Sequence, residues 1–210
     1  MNKAMTIVYE VDEGLYLNIT NRCTNRCEFC IRNNGDGAYG SDSLWLEHEP
    51  TREEIVDAVF SRDLEKYSEV VFCGYGEPTV RLDDMRYVAL KIKEKHPALT
   101  IRVNTNGHSD LIHGKNTAPS FADAFDVVSV SLNTPNSQKY EQICHSVYKE
   151  KAFSALLTFT ENVKNYVQKT LLSVVRQSLT EDELSECYAI AEKIGVSLKV
   201  RDYISSESGV

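Results

Sequence analysis

Segments typical of β-strands alternate with segments typical of α-helices along most of the chain. The strand-like segments are rich in β-branched and aromatic residues and lie at Gly14–Thr20, Ser68–Cys73, Leu99–Val103, Val127–Leu132, Thr170–Arg176 and Val196–Tyr203. Helical segments begin near Thr51, which with Glu54 forms a capping box, and cover Leu82–Lys95, Ser137–Tyr148, Ala152–Tyr166 and Glu181–Ile194. This order predicts right-handed crossovers and a parallel sheet covered by helices.

Six strand–helix units predict an α/β fold in the form of a partial (β/α)6 barrel of parallel strands. A closed barrel needs eight units, and an open doubly wound sheet is the alternative. The 210 residues suit a single domain, 1–210, with a core at about 14–203 and a flexible tail at 204–210. In both architectures ligands bind at the carboxyl ends of the strands, which is where the polar motifs of this chain fall.

The composition of the chain limits the cellular locations and the binding partners that we expect for it. The first 14 residues do not have the pattern of a secretory signal, and the apolar runs are too short to cross a bilayer, so we expect a cytoplasmic protein without membrane contact. A formal net charge of −8 argues against general nucleic-acid binding. Basic residues nevertheless gather at Arg22, Arg26 and Arg32, which predicts a local positive patch.

Three of the six cysteines lie within eight residues, at Cys23, Cys27 and Cys30. They open the loop of residues 21–37, here called the cysteine loop. Soft thiolate ligands at short spacing select iron–sulfur clusters or zinc. Three cysteines leave one iron of a cluster open, whereas a zinc site would need a fourth ligand such as Cys73 or a histidine. We interpret Cys73, Cys144 and Cys187 as small hydrophobic residues, and Cys73 directly precedes the glycine-containing residues 74–78.

Two further polar motifs follow predicted strands. Residues 74–78, GYGEP, come after the second strand, and residues 104–107, NTNG, come after the third. Taken alone, each motif is typical of an ordinary turn between secondary-structure elements. His108 and His113 follow NTNG, and we expect them to be exposed loop residues without a role in the site.

The C-x3-C-x2-C spacing, with Phe29 before the last cysteine, resembles the signature of the radical S-adenosylmethionine (SAM) superfamily. GYGEP is similar to the GGEP-like sequence that this superfamily carries after its second strand. The stretches NITNRC, CIRNNGDG, DSLWLEHEPT, VVFCGYGEPT, NTNG and SLNTP together resemble the small radical SAM proteins associated with TatD-family nucleases. This resemblance runs from Leu15 to Tyr203 and identifies the predicted barrel as a radical SAM core.

The resemblance implies an enzyme with two cofactors, a [4Fe-4S] cluster on Cys23, Cys27 and Cys30, and SAM on the open iron. One electron, from a donor such as flavodoxin or ferredoxin, would cleave SAM to a 5′-deoxyadenosyl radical that takes hydrogen from an unidentified substrate. The positive patch would then be the docking surface for an acidic donor. No catalytic residue beyond the cofactors can be named.

The resemblance also implies contacts to SAM and to the substrate. Phe29 would lie against adenine, and the SAM ammonium would bind at Gly74, Tyr75, Gly76 and Glu77. The candidates for ribose and carboxylate contacts are Asn104, Thr105, Asn106, Ser129, Ser131 and Asn133, and Val175 is a candidate for packing on adenine. Strand alternation places Ser129, Ser131 and Asn133 on one face, inside the barrel. Arg176, Arg201 and Tyr203 are candidates for holding SAM or an anionic substrate.

Two other functions remain open at this point. The chain could be a binding or redox-sensing module that keeps a cluster without turnover, or a structural zinc protein. An incomplete barrel has a wide lateral opening, which favours a large substrate such as a peptide or protein, or a partner that covers the gap.

Overall fold

The computed structural model describes residues 2–203 and contains one seven-stranded sheet. The strands are β1 Val8–Val11, β2 Gly14–Leu17, β3 Glu69–Phe72, β4 Thr100–Thr105, β5 Val127–Ser131, β6 Lys169–Val175 and β7 Ser197–Arg201. The helices are α1 Arg52–Phe60, α2 Leu82–Lys95, α3 Ser109–His113, α4 Ser137–Cys144, α5 Lys151–Val163 and α6 Glu181–Ile194. Short 3-10 turns, including Pro78–Arg81 and Arg176–Ser178, join several of these elements.

Strands β2 to β7 are parallel and neighbour one another in sequence order. Every right-handed crossover therefore steps in the same direction, which places the helices on one face of the sheet. A doubly wound sheet would reverse its strand order and carry helices on both faces. The order confirms the partial (β/α)6 barrel and excludes the doubly wound alternative.

Strand β1 was not predicted from the sequence. It pairs antiparallel with β2, with Val8 opposite Leu17 and Val11 opposite Gly14. The turn between the two strands places Asp12 at a φ of 50°, in the left-handed region that aspartate tolerates better than most residues. A hairpin thus closes one edge of the parallel sheet.

The two faces of the sheet carry different side chains. Leu15, Leu17, Val70, Phe72 and Val128 face the helices and are fully buried in the main core. The opposite face, here called the interior face, is covered at β1 and β2 by a second apolar cluster of Tyr9, Ala38, Leu44 and Tyr75, against which Tyr16 packs. From β4 to β7 the interior face is largely polar, and its polar side chains include Arg102, Asn104, Ser129, Ser131, Ser173, Lys199 and Arg201, while Val175 is among its apolar ones.

Helix boundaries agree with the prediction at α1 and differ at α4. Thr51 and Glu54 form the expected capping box at the start of α1. Helix α4 ends at Cys144 instead of continuing to Tyr148, because His145 adopts a left-handed conformation with φ 45°. The chain then turns so that the Val147 amide donates to the carbonyl of Thr24, 2.9 Å away in the cysteine loop.

No helix within residues 2–203 is long and apolar enough to cross a membrane. The tail expected at 204–210 lies outside the described residues.

Candidate functional site

The cysteine loop rests on the carboxyl-terminal end of α4. The amides of Arg26 and Glu28 donate to the carbonyls of Cys144 and Ile143, at 2.9 and 3.0 Å. Since the loop also follows β2 directly, it is fixed at the carboxyl edge of the sheet, as expected for a ligand site of a parallel α/β fold.

Cys23, Cys27 and Cys30 are all partly exposed and form no disulfide. Burial raises the pKa of Cys23 to about 12 and also raises that of Cys30. The thiol of Cys27 hydrogen-bonds to Cys144, which raises its pKa. Within residues 2–203, no three His, Cys, Asp or Glu side chains converge as a metal site. The donor set nevertheless fits an iron–sulfur cluster, because three unpaired thiols that solvent can reach lie on one loop.

Glu77 is a buried carboxylate that joins the GYGEP loop to the end of β4. Its Oε1 accepts hydrogen bonds from the amide and hydroxyl of Thr79 and from the hydroxyl of Thr105. Its Oε2 accepts one bond, from the Asn106 amide at 2.7 Å. Burial raises the pKa of Glu77, and these donors oppose that shift. Oε2 therefore has capacity for a further donor such as an ammonium group.

A chain of polar side chains, all buried except the partly exposed Thr24, links Glu77 to the cysteine loop and to α4. The Asn106 side-chain amide donates to Thr24 Oγ1 at 2.8 Å and lies 3.9 Å from Cys23 Sγ. His108 places Nδ1 3.1 Å from Thr24 Oγ1 and Nε2 3.4 Å from the Tyr140 hydroxyl. Asn25 Nδ2 donates to that hydroxyl at 3.0 Å.

The expectation that His108 is an exposed loop residue is wrong. Its side chain is fully buried, and that burial lowers its pKa to about 4. We assign the neutral ring as accepting the Thr24 hydroxyl proton at Nδ1 and donating from Nε2 to Tyr140. His113 is partly buried, with Nε2 2.8 Å from the carbonyl oxygen of Thr79. No pattern in the sequence indicates these contacts, because Thr24, His108 and Tyr140 are far apart along the chain.

The glycines of the GYGEP loop are required by packing against β2 and the residues after it. A Cβ atom on Gly74 would lie 2.2 Å from Asn18 Oδ1, and one on Gly76 would lie 2.2 Å from the carbonyl oxygen of Thr20. The Tyr75 side chain is buried, and the single proton of its hydroxyl is shared between the carbonyl oxygens of Gly35 and Gly37, at 2.8 and 3.0 Å. Within this motif, Glu77 and the backbone are thus better placed than the Tyr75 side chain to meet a ligand.

Three predicted ligand contacts line one cavity of about 420 Å³ beside the cysteine loop. Phe29, Val175 and Tyr203 lie on its wall, together with Glu28, Ile143, Gln177 and Ser178. The volume is in the range of small-molecule sites. The Tyr203 hydroxyl donates to Asn34 Oδ1 at 3.0 Å, which joins the end of β7 to the cysteine loop.

The predicted residues on β4 and β5 have different surroundings. Asn104 accepts a hydrogen bond from Arg102 on the interior face, at 2.9 Å. Asn133 is buried at a φ of 63°, and its amide nitrogen lies 3.5 Å from Cys144 Sγ, while its Oδ1 has no partner within residues 2–203. Ser129 is buried and Ser131 is partly exposed.

The predicted arginines also differ. Arg176 bonds to the carbonyl of Leu179 and to Glu181 and is thereby directed to the start of α6. In the predicted positive patch, Arg22 pairs with Glu49, and Arg32 donates to the carbonyls of Asn25 and Tyr75. Within residues 2–203, Arg26 is therefore the one member of the patch without an ion pair or hydrogen bond from its side chain.

Comparisons with known proteins agree on one family. Residues 17–190 match the model of the radical SAM superfamily. The chain is 26% identical over 191 residues to molybdenum cofactor biosynthesis protein 1 of Bos taurus, covering 90% of this chain and 28% of that protein. It is 28% identical over 127 residues to GTP 3′,8-cyclase of Lactiplantibacillus plantarum, covering 60% of this chain and 35% of that enzyme. The chain thus spans about a third of the length of these relatives.

A solved structure supports the fold. Streptococcus suis SuiB bound to its precursor peptide SuiA superposes with a TM-score of 0.67 at 15% identity, over 93% of this chain and 40% of SuiB. Because the family model covers most of the chain, the assignment does not depend on this distant likeness. The chain belongs to the radical SAM superfamily, whose enzymes use a [4Fe-4S] cluster and SAM.

Proposed function

We propose that Cys23, Cys27 and Cys30 hold a [4Fe-4S] cluster that reductively cleaves SAM to methionine and a 5′-deoxyadenosyl radical, which abstracts hydrogen from an organic substrate. The observation that carries the proposal is the direct link between the cysteine loop and the GYGEP loop, in which Asn106 bonds both to Glu77 and to Thr24, next to Cys23. This link brings the two motifs of the family to one place.

The chain's own residues bind and orient the cofactor. Glu77 Oε2 has capacity for the SAM ammonium, because it accepts one bond here while Oε1 accepts three. Phe29 and Val175 provide the apolar wall of the 420 Å³ cavity for adenine. The unpartnered Oδ1 of Asn133, near the end of β5, is an acceptor for a ribose hydroxyl.

The buried network around His108 fixes the cysteine loop before any ligand arrives. Its members connect the loop to β4 and to α4, so the thiol-bearing backbone is held in place. Cluster binding would require Cys27 to give up its contact with Cys144 and to lose its proton.

Substrate and electron donor are parts of this proposal. We propose a single radical SAM domain with its core at about residues 14–203, which takes its electron from a flavodoxin or ferredoxin. SuiB is a relative of similar fold whose structure contains a peptide, which supports a peptide as one class of substrate.

Anaerobic reconstitution with iron and sulfide, followed by reduction with SAM, tests the proposal. The wild type should form 5′-deoxyadenosine and methionine, whereas Cys27→Ala should form neither. The matched control is Cys187→Ala, which removes a thiol buried in α6 and should behave like the wild type. A bound cluster without SAM cleavage would support the redox-sensing alternative, and bound zinc without iron would support the structural zinc reading.

A further inference from the structure

The guanidinium group of Arg201 has no acidic partner and no hydrogen bond within residues 2–203. Its Nε is fully shielded from solvent and unpartnered. Arg201 as a whole is partly exposed, so the cost falls on this one N–H donor, which is shielded from water without a hydrogen-bond partner. The guanidinium stays charged at any physiological pH. The absence of a partner is informative in a chain with 31 acidic and 23 basic residues.

Ser173 provides a second unpartnered polar group on the same face. Its side chain is 1% exposed, and its Oγ has no hydrogen-bond partner within the described part of the chain. In the register of β6 and β7, Ser173 lies opposite Lys199, and Val175 lies opposite Arg201. Ser173 and Arg201 are therefore diagonal neighbours on adjacent parallel strands, about 8 Å apart at the backbone from the usual strand spacing and rise, which is within reach of an arginine side chain.

The charges of the interior face from β4 to β7 do not cancel. Arg102 is neutralised by Glu69, with contacts of 2.9 and 2.5 Å. Lys199 and Arg201 have no acidic partner among residues 2–203. A positive site thus forms on this face although the chain as a whole carries a net charge of −8.

We infer that the substrate carries an anionic oxygen group, a carboxylate or a phosphate, that binds on the interior face between Arg201 and Ser173. Such a group accepts hydrogen bonds from the guanidinium and from the serine hydroxyl, and it satisfies both unpartnered donors at once. Lys199, which is exposed, adds charge on the solvent side. The inference deepens the proposed function and rests on it for the identification of the anion as part of the substrate.

The site adjoins the proposed SAM pocket. Arg201 lies directly opposite Val175, and Val175 lines the cavity that contains Phe29. An anion held at Arg201 would therefore place the rest of the substrate next to the cofactor. SAM also has a carboxylate, so the test must separate the two sources of the same chemistry.

Calorimetric titration of the reconstituted protein with inorganic phosphate, and then with acetate, tests the site without reductant. The wild type should bind at least one of them saturably, with a Kd of about 1–10 mM, since a single small anion has few contacts. Arg201→Gln should weaken binding about tenfold or more and Ser173→Ala several-fold, by loss of charge-assisted hydrogen bonds. Lys193→Gln, an exposed change in the last turn of α6, should bind like the wild type. Absence of saturable binding by the wild type, or equal binding by Arg201→Gln, would overturn the inference.

A SAM titration of the same variants separates the substrate anion from the SAM carboxylate. Arg201→Gln should bind SAM within about threefold of the wild type if the anion belongs to the substrate. A tenfold loss of SAM affinity would reassign the site to SAM and overturn the inference. Because neither titration requires SAM cleavage, failure of the proposed radical chemistry would leave anion binding measurable, and the two failures are distinguishable.

Discussion

His108 Nδ1 lies 3.1 Å from Thr24 Oγ1, so that a buried imidazole after β4 holds the residue next to Cys23. The other ring nitrogen lies 3.4 Å from the hydroxyl of Tyr140 in α4. One side chain thus joins three separate parts of the chain at the candidate cluster site. Its position within the fold, away from the ligand cavity, makes it a positioning residue.

Replacing His108 by Phe should destabilise the fold and weaken retention of the cluster. The variant keeps an aromatic ring but leaves the hydroxyls of Thr24 and Tyr140 without their nitrogen partners, which costs about 1–3 kcal/mol. Urea unfolding of the cluster-free protein measures the first effect, and iron content after gel filtration measures the second. His48→Phe, at an exposed side chain, is the control, and equal stability of the two variants would refute the positioning role.

The pH dependence of stability should carry the signature of His108. Its pKa is lowered to about 4 by burial, whereas an unfolded histidine titrates near 6.5. Between these values the unfolded state binds more protons, so the free energy of unfolding should fall as the pH falls from about 6.5 to 4. The full effect is roughly 3 kcal/mol, since each pKa unit corresponds to about 1.4 kcal/mol.

The difference between wild type and His108→Phe isolates this contribution. Glu77 has a raised pKa and acts in the opposite sense, because its stabilising contribution is lost as the pH rises. Glu77 is present in both proteins, so its effect cancels in the comparison of urea midpoints at several pH values. If both proteins lose stability in parallel below pH 6.5, His108 is not the group responsible.

Cys144 should be dispensable for cluster binding although it contacts Cys27. Cys144 is buried at the end of α4, where its sulfur also lies 3.5 Å from Asn133 Nδ2. Three thiolates suffice for a cluster with an open iron, so Cys144→Ala should retain the iron and sulfide content of the wild type, as should Cys187→Ala. Iron analysis and the visible absorption of the reconstituted variants measure this. Loss of the cluster in Cys144→Ala alone would indicate a fourth cysteine ligand and a closed cluster.

The parallel part of the fold could be predicted because nearly all of its strands are followed or preceded by a helix with clear periodicity. Val127–Ser131 and Thr100–Thr105 are examples, and each begins or ends within a few residues of its predicted bounds. Strand β1 could not be predicted with the same ease, since it has four residues and its turn consists of Asp12 and Glu13. Helix α3, five residues long, is too short to show a period.

The motifs of the candidate site could be predicted, but the contacts that support them could not. Cys23, Gly76 and Glu77 lie in short patterns with recognisable spacing. Tyr140 and His108, by contrast, reach the cysteine loop through folding alone, because their partners in the loop are 115 and 84 residues away along the chain. The requirement for glycine at position 76 also becomes clear only in the structure, since a Cβ atom there would collide with the Thr20 carbonyl oxygen.

Replacing Glu77 by Gln should weaken SAM binding as well as the link between the GYGEP loop and β4. An amide cannot accept at both ends, so at least one of the donors from Thr79, Thr105 and Asn106 loses its acceptor, at a cost of about 1–3 kcal/mol. The negative charge that would meet the SAM ammonium is lost too, which should weaken SAM binding about tenfold or more. Calorimetric SAM titration and urea unfolding measure the two effects, with Glu53→Gln in the first turn of α1 as the exposed control. A variant that is destabilised but binds SAM normally would show that Glu77 only organises the loop.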